Sequence, residues 1–289
     1  MRQKRKVWVI MMSSALIIVG TVFATGLGDQ GWLHKAGVRV FGPPVVTMTE
    51  AHDESPATQS VAFDHSVFDH LLKKHVDADG WVDYKGLLND AAPLDAYIET
   101  LADAPFNAMG RDEKLALLIN AYNAFTFRLI LDHYPVKSIM DIPDAKRWDA
   151  KRWVLAGETY SLNQIEHELI RPKFVEPRIH FALVCAAYSC PPLRNEAFTG
   201  EKLEAQLSDQ TVYTHAHDRW FRFDQPNNTL HLTPLYDWYG GDFTAVSGSI
   251  LEYIADQVPA VRAALDAGKA PKVRWLEYDW KLNDISNAP

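Results

Sequence analysis

Residues Asp112 to Tyr134 constrain the fold of this chain more than any other stretch. Leu115, Leu118, Ile119, Tyr122, Phe125, Leu129 and Ile130 recur at three- and four-residue steps, the period of one helix face. Asp112 and Glu113 suit the positive end of such a helix, and Pro135 lies just past its end. Asn120 and Asn123 stand inside this apolar pattern, three residues apart and so on one side of the helix. A buried amide without a hydrogen bond costs on the order of 1–3 kcal/mol, so both need partners. Either they tie the helix to a neighbouring backbone, or one orients an imidazole or lines a pocket, as Asn does in Cys-His-Asn hydrolases.

The N-terminus speaks to location. Arg2, Lys4, Arg5 and Lys6 precede a run from Val7 to Leu27 that carries no charge. A helix of that length, at about 1.5 Å per residue, roughly matches the hydrocarbon thickness of a bilayer. Charge before the run and none within it implies the N-terminus inside and the body outside. Val22-Phe23-Ala24 also offers a cleavage site, so residues 1–27 are expected to be a signal-anchor or a signal peptide. Residues 28–60 follow as a tether: Gly42-Pro43-Pro44 and Thr47 to Ser60 are polar, Pro-containing and aperiodic. The globular domain is set at 61–289. A net charge of −8, with no basic run beyond the first six residues, argues against a nucleic-acid partner. The expected membrane contact is through the N-terminal segment only.

Within the body, Ser66 to Val76 has helical spacing, and Trp81, Val82 and Tyr84 suggest a brief extended piece. Trp153 to Leu162 looks extended around a turn at Gly157, and Ser161 is placed to cap a helix reaching Arg171. Ile179 to Ala186 is a nearly continuous apolar run, as in a buried strand. Gly200 to His217 reads as helix, Trp220 to Leu232 as a hairpin, Ser249 to Ala267 as a helix pair, and Val273 to Leu282 as a last strand. Helices and strands interleave without a regular βαβ alternation, so the expected class is α+β, a single mixed domain.

Both cysteines of the chain, Cys185 and Cys190, lie just after His180 in Ile179 to Arg194. Two thiols and an imidazole in one segment fit a nucleophile with its base, a disulfide, or half a metal site. Their spacing matches no zinc-finger pattern. The loop from His75 to Gly86 has Asp77, Asp79 and Gly80 where a calcium loop has them, but Gly86 stands where the bidentate acid belongs. No cofactor and no metal is implied.

Six segments carry a resemblance. They are Asp79 to Tyr84, Leu118 to Ala124, Ser161 to His167 with Arg171, Ile179 to Leu193, Trp238 to Phe243, and Tyr278 to Asn283. In this order, from about Val61 to Asp284, the chain resembles the DUF-547 family of bacterial and plant proteins. That resemblance implies a domain boundary and no established activity. Its motif members are Asn120, Tyr122, Asn123, Glu166, Arg171, His180, Cys185, Cys190, Asp242 and Asp279.

Three function classes follow. The first is a cell-envelope binding module that uses Tyr122, Glu166, Arg171, Asp242 and Asp279, with an envelope protein, peptide or glycan as partner. The second is a cysteine-dependent hydrolase or acyl transferase, in which Cys185 or Cys190 attacks a carbonyl, His180 acts as base and Asn120 or Asn123 orients the ring. The third is a carboxylate-based hydrolase or metal site built from Glu166, Asp242 and Asp279.

Overall fold

The computed structural model describes residues 61–288. The expected membrane-directed segment (1–27) and the tether (28–60) lie outside the described residues. Regular structure begins with α1 (Ser66–His75), which buries Phe68, Leu71 and Leu72 along one face. In α2 (Tyr84–Asn89) the Asp83 carboxylate accepts the Gly86 N–H as N-cap. That cap starts a helix where the sequence suggests an extended piece; only Val82 pairs, in single bridges to Val76 and Asp284. The helix α3 (Ala91–Ala102) then packs on α4 (Arg111–Leu131).

The helix α4 is buried almost all round, from Lys114 to Phe127 without a break. A helix apolar on every side belongs at the centre of a domain or in a membrane. By length and composition α4 is apolar enough to cross a bilayer, yet 94% of its apolar window is buried inside this domain. It is the axis of the main core, which gathers side chains from Phe68 to Leu282.

The strands β1 (Trp153–Leu155) and β2 (Glu158–Tyr160) form a hairpin turned at Ala156 and Gly157. Both turn residues have positive φ, 51° and 85°, as a tight primed turn demands. Ser161 and Gln164 form a reciprocal capping box, so the helix expected there begins on time. It runs as α5 (Leu162–Gln164) and then widens into a π-helix over Ile165–Ile170.

The run from Ile179 to Ala186 is not a strand. Glu176 caps and Pro177 begins a 3-10 turn over Pro177–Phe181, and the chain continues without regular structure. Burial on all sides produces the same apolar run in either conformation, so periodicity could not separate them. After α6 (Leu203–Ala216), the strands β3 (Phe221–Asp224) and β4 (Thr229–Leu232) pair antiparallel, as expected from the sequence. Short helices α7 (Leu235–Trp238), α8 (Gly240–Ser247), α9 (Ile250–Gln257) and α10 (Pro259–Asp266) follow. The last strand, β5 (Lys272–Trp275), joins β4 in parallel to give the sheet order β3-β4-β5. A second core lies here, built on Phe181, Phe221, Leu230, Tyr236, Phe243 and Ile254. The expected final strand thus ends at Trp275; beyond it the chain makes single bridges from Lys281 to Ser138, Leu282 to Ala187 and Asp284 to Val82. Mixed helix and sheet in these proportions is an α+β fold.

Candidate functional site

The main core positions the cysteines. The Asn123 amide of α4 donates to the Ala182 carbonyl and its oxygen accepts the Val184 N–H, both at 3.0 Å. Cys185 is the next residue. Ala186 then takes a left-handed φ of 65°, a conformation that costs a residue with a Cβ roughly 1–2 kcal/mol. The chain turns, Cys190 N–H reaches the Ala187 carbonyl, and the two free thiols meet with their Sγ atoms 2.7 Å apart. The Cys185 N–H donates to Cys190 Sγ at 3.2 Å. The Tyr278 hydroxyl lies 3.1 Å from Cys190 Sγ and 3.5 Å from Cys185 Sγ. Cys190 is buried and Cys185 is half-exposed.

These contacts split the two ionisations. Burial alone would push the Cys190 thiol up, but hydrogen bonds from the Cys185 thiol, the Tyr278 hydroxyl and the Ala187 and Cys185 N–H groups outweigh it and bring the thiol below its usual range. The bond to Cys190, then burial and the Cys190 charge, push the Cys185 thiol well above that range. The pair therefore gives up its first proton readily and holds its second. A thiolate, not a thiol, is the nucleophile, so the first ionisation is the one that matters.

A carboxylate and two further tyrosines stand by the sulfurs. Tyr239 stands near the buried Glu166, and both Glu166 and Cys185 add their charge to the environment of Tyr239. Tyr122, on α4, feels Glu166 and both sulfurs. Burial first, then these neighbouring charges, hold Tyr122, Tyr239 and Tyr278 protonated well above the usual phenol range. All three are hydrogen-bond donors at any physiological pH.

Behind Tyr239 lies a buried charge network. The Asp242 carboxylate accepts Arg171 Nε at 2.7 Å, Arg171 Nη2 at 3.0 Å and His180 Nε2 at 2.8 Å. Arg171 also meets His167 Nδ1 at 3.1 Å. The His180 ring stacks on Tyr239, with centroids 3.8 Å apart. His180, expected as base for a thiol, bonds Asp242 through Nε2 and stacks on the Tyr239 ring, with no hydrogen bond to either cysteine among the described residues. Nor does either asparagine orient that imidazole. Asn123 clamps the Ala182–Val184 backbone, and Asn120 makes the same two-bond clamp on Phe198, at 2.7 and 3.0 Å.

Of the residues singled out from the sequence, Tyr122, Glu166, Cys185 and Cys190 come together, and Arg171, His180 and Asp242 form the network behind them. Asn120 holds a different segment. Asp279 is exposed and accepts the Lys281 N–H at 2.9 Å, while its backbone N–H donates to Ser189 Oγ at 2.8 Å. Among the described residues no group of three or more His, Cys, Asp or Glu could hold a metal. Tyr239 and Tyr278 were missed, although each sits inside a segment that carries the family resemblance. Tyr278 reaches the sulfurs from 88 and 93 residues away, a pairing no local pattern signals.

No curated protein and no solved structure matches this chain. Residues 106–213, which include α4, Glu166, Arg171, His180 and both cysteines, match the model of the family described as "Protein of unknown function, DUF547".

Proposed function

We propose that this protein is a thiol–disulfide exchange module facing an extracytoplasmic compartment, with the Cys185–Cys190 pair as its reactive group. The observation that carries the reading is the approach of two free thiols to 2.7 Å at a half-exposed turn, with a phenol hydroxyl donating to them. With the first proton gone, the remaining one moves across the sulfur–sulfur hydrogen bond, so the charge reaches the accessible Cys185. That thiolate attacks one sulfur of a partner's disulfide; the partner's other sulfur leaves as a thiolate and takes up a proton. Cys190 then loses its proton and attacks Cys185 Sγ in the mixed disulfide. The partner's second sulfur departs and is protonated. The partner gains two electrons and two protons, and the module is left with a Cys185–Cys190 disulfide.

The basic start and the charge-free run from Val7 to Leu27 support export or anchoring, which is where such chemistry has disulfides to meet. The test uses the full chain, equilibrated with glutathione buffers of graded potential, then alkylated and weighed. The expected result is a single two-electron transition between two modified thiols and none. Two thiols that stay free in fully oxidised buffer would overturn the exchange reading.

A second reading has its own observation. Trp238, Tyr278 and Trp280 pack as one aromatic group beside the thiols, with Trp238–Tyr278 centroids 4.8 Å apart and Trp238 half-exposed. Such a surface suits binding of an envelope protein, peptide or glycan without chemistry. Under that reading the thiols serve packing only, and replacing both by Ala leaves partner binding unchanged.

A further inference from the structure

Arg219 lies between α6 and β3 and packs against the cysteine turn. Its guanidinium sits 3.8 Å over the Tyr188 ring, 4.6 Å over Trp220 and 5.1 Å over Trp81. The Trp220 indole N–H donates to the Cys190 carbonyl at 2.9 Å, and Tyr188 is two residues before Cys190, so this aromatic box is built on the thiol turn itself. Among the described residues Arg219 forms no ion pair and no hydrogen bond, and its buried Nε lacks an acceptor. Burial disfavours its charge, and among its neighbours the Cys190 thiolate favours it. In a chain with net charge −8, most of the other arginines carry carboxylate partners; this one is surrounded by rings instead.

A guanidinium with its face on aromatic rings keeps its N–H edges for a planar anion. An orphaned buried donor is costly until an acceptor arrives. We infer that Arg219 is a carboxylate-binding subsite for the disulfide that reacts at Cys185–Cys190. The substrate class is a disulfide with a carboxylate close to its sulfur, in a small molecule or a short peptide. This rests on the exchange reading above and adds a substrate preference to it.

The experiment compares two chromogenic disulfides on the reduced full chain. One, 5,5′-dithiobis(2-nitrobenzoate), carries two carboxylates; the other, 4,4′-dipyridyl disulfide, carries none. The wild-type rate with the anionic probe is expected to saturate, and free benzoate to compete with it while leaving the neutral probe untouched. In Arg219→Gln the ratio of anionic to neutral rate should fall about tenfold, the scale of one charge-assisted hydrogen bond. Arg219→Lys keeps the charge but not the fork, so its ratio should lie between. The Tm of each variant and a count of two thiols per chain show that the fold and the thiols are intact, and taking the ratio of the two rates cancels any change in the thiols' own reactivity. Should Arg219→Gln not fold, the benzoate competition and the Lys variant still decide. If both probes react but the ratio ignores Arg219 and benzoate, the subsite is wrong and the exchange reading survives. If neither probe reacts, the exchange reading fails and takes the subsite with it. A preference for an oxidised Cys-Glu peptide over its Cys-Gln counterpart supports a peptide source; a preference confined to the small probe supports a small molecule.

Discussion

Asp242 is 1% exposed and carries the bonds of two cationic or potentially cationic neighbours. Burial pushes its carboxyl pKa up, but the His180 and Arg171 hydrogen bonds outweigh burial and hold it below the usual carboxylate value. A carboxylate depressed in this way contributes stability that is fully present above its unfolded pKa near 3.9. The contribution is lost as pH falls through the lower folded value. Asp242→Ala strips Arg171 and His180 of these bonds, and we expect it to destabilise the protein by about 3–5 kcal/mol at neutral pH in urea unfolding. Asp242→Asn should flatten the acid limb of the stability curve below about pH 4. The same scale gives a test of the thiols. Because Cys190 titrates below the ordinary thiol value, the rate of iodoacetamide modification should reach half its plateau at a lower pH than that of an unperturbed cysteine in a peptide. Tyr278→Phe removes a hydrogen bond that lowers both thiols, so the midpoint should move up. A midpoint that does not move would remove Tyr278 from the site.

Among the elements, α4 shows what could be read in advance. Its existence, its start and the need for partners at Asn120 and Asn123 follow from three- and four-residue periodicity and the cost of an unpaired amide, whereas it ends at Leu131, three residues before Tyr134. Which backbone each amide would meet does not follow, because Phe198 and Ala182 are separated from them by 78 and 59 residues. The capping box at Ser161 was equally legible, being local chemistry; the π-helical winding after it has no such local signature. The segment from Ile179 to Ala186 suggests a strand and is none, because an apolar run buried on every side has no period. Asn123 now links the two levels: it fixes Val184, the residue before Cys185. We expect Asn123→Ala to cost about 2–4 kcal/mol, from two buried backbone groups left unpaired, and to slow closure of the disulfide. Gly80 makes a comparable link from the other side. Its φ is 80°, and a Cβ there would stand 2.6 Å from the Leu193 nitrogen and the Pro192 Cα. Gly80→Ala should therefore lower Tm and alter thiol reactivity together, measurable by calorimetry and alkylation on one sample.

At the scale of the molecule, the site draws on more of the chain than the family match covers. Residues 106–213 supply Tyr122, Glu166, His180 and the sulfurs, but Arg219, Tyr239, Asp242 and Tyr278 come later. The segment from Tyr278 to Asp284 closes the structure. Tyr188 N–H donates to the Lys281 carbonyl, Ser189 N–H to the Asp279 carbonyl and Asn283 N–H to the Ala186 carbonyl. Tyr84 and Tyr134 donate to Asn283 and Asp284 from 199 and 150 residues earlier in the chain, at 2.9 and 3.0 Å. The cysteine turn is thus held by the C-terminal segment on one side and α4 on the other. Removing that segment exposes the turn's backbone groups and takes Tyr278, Trp280 and Leu282 from the core. A chain ending at Glu277 should lose far more than the sum of surface contacts: its amides should exchange within the dead time of a hydrogen-exchange experiment across Pro177–Leu193, with the centre of α4 following. Protection that persists in Pro177–Leu193 after this truncation would mean that the turn is fixed by α4 alone, and that Tyr278 is an accessory to the thiols, not part of what builds their site.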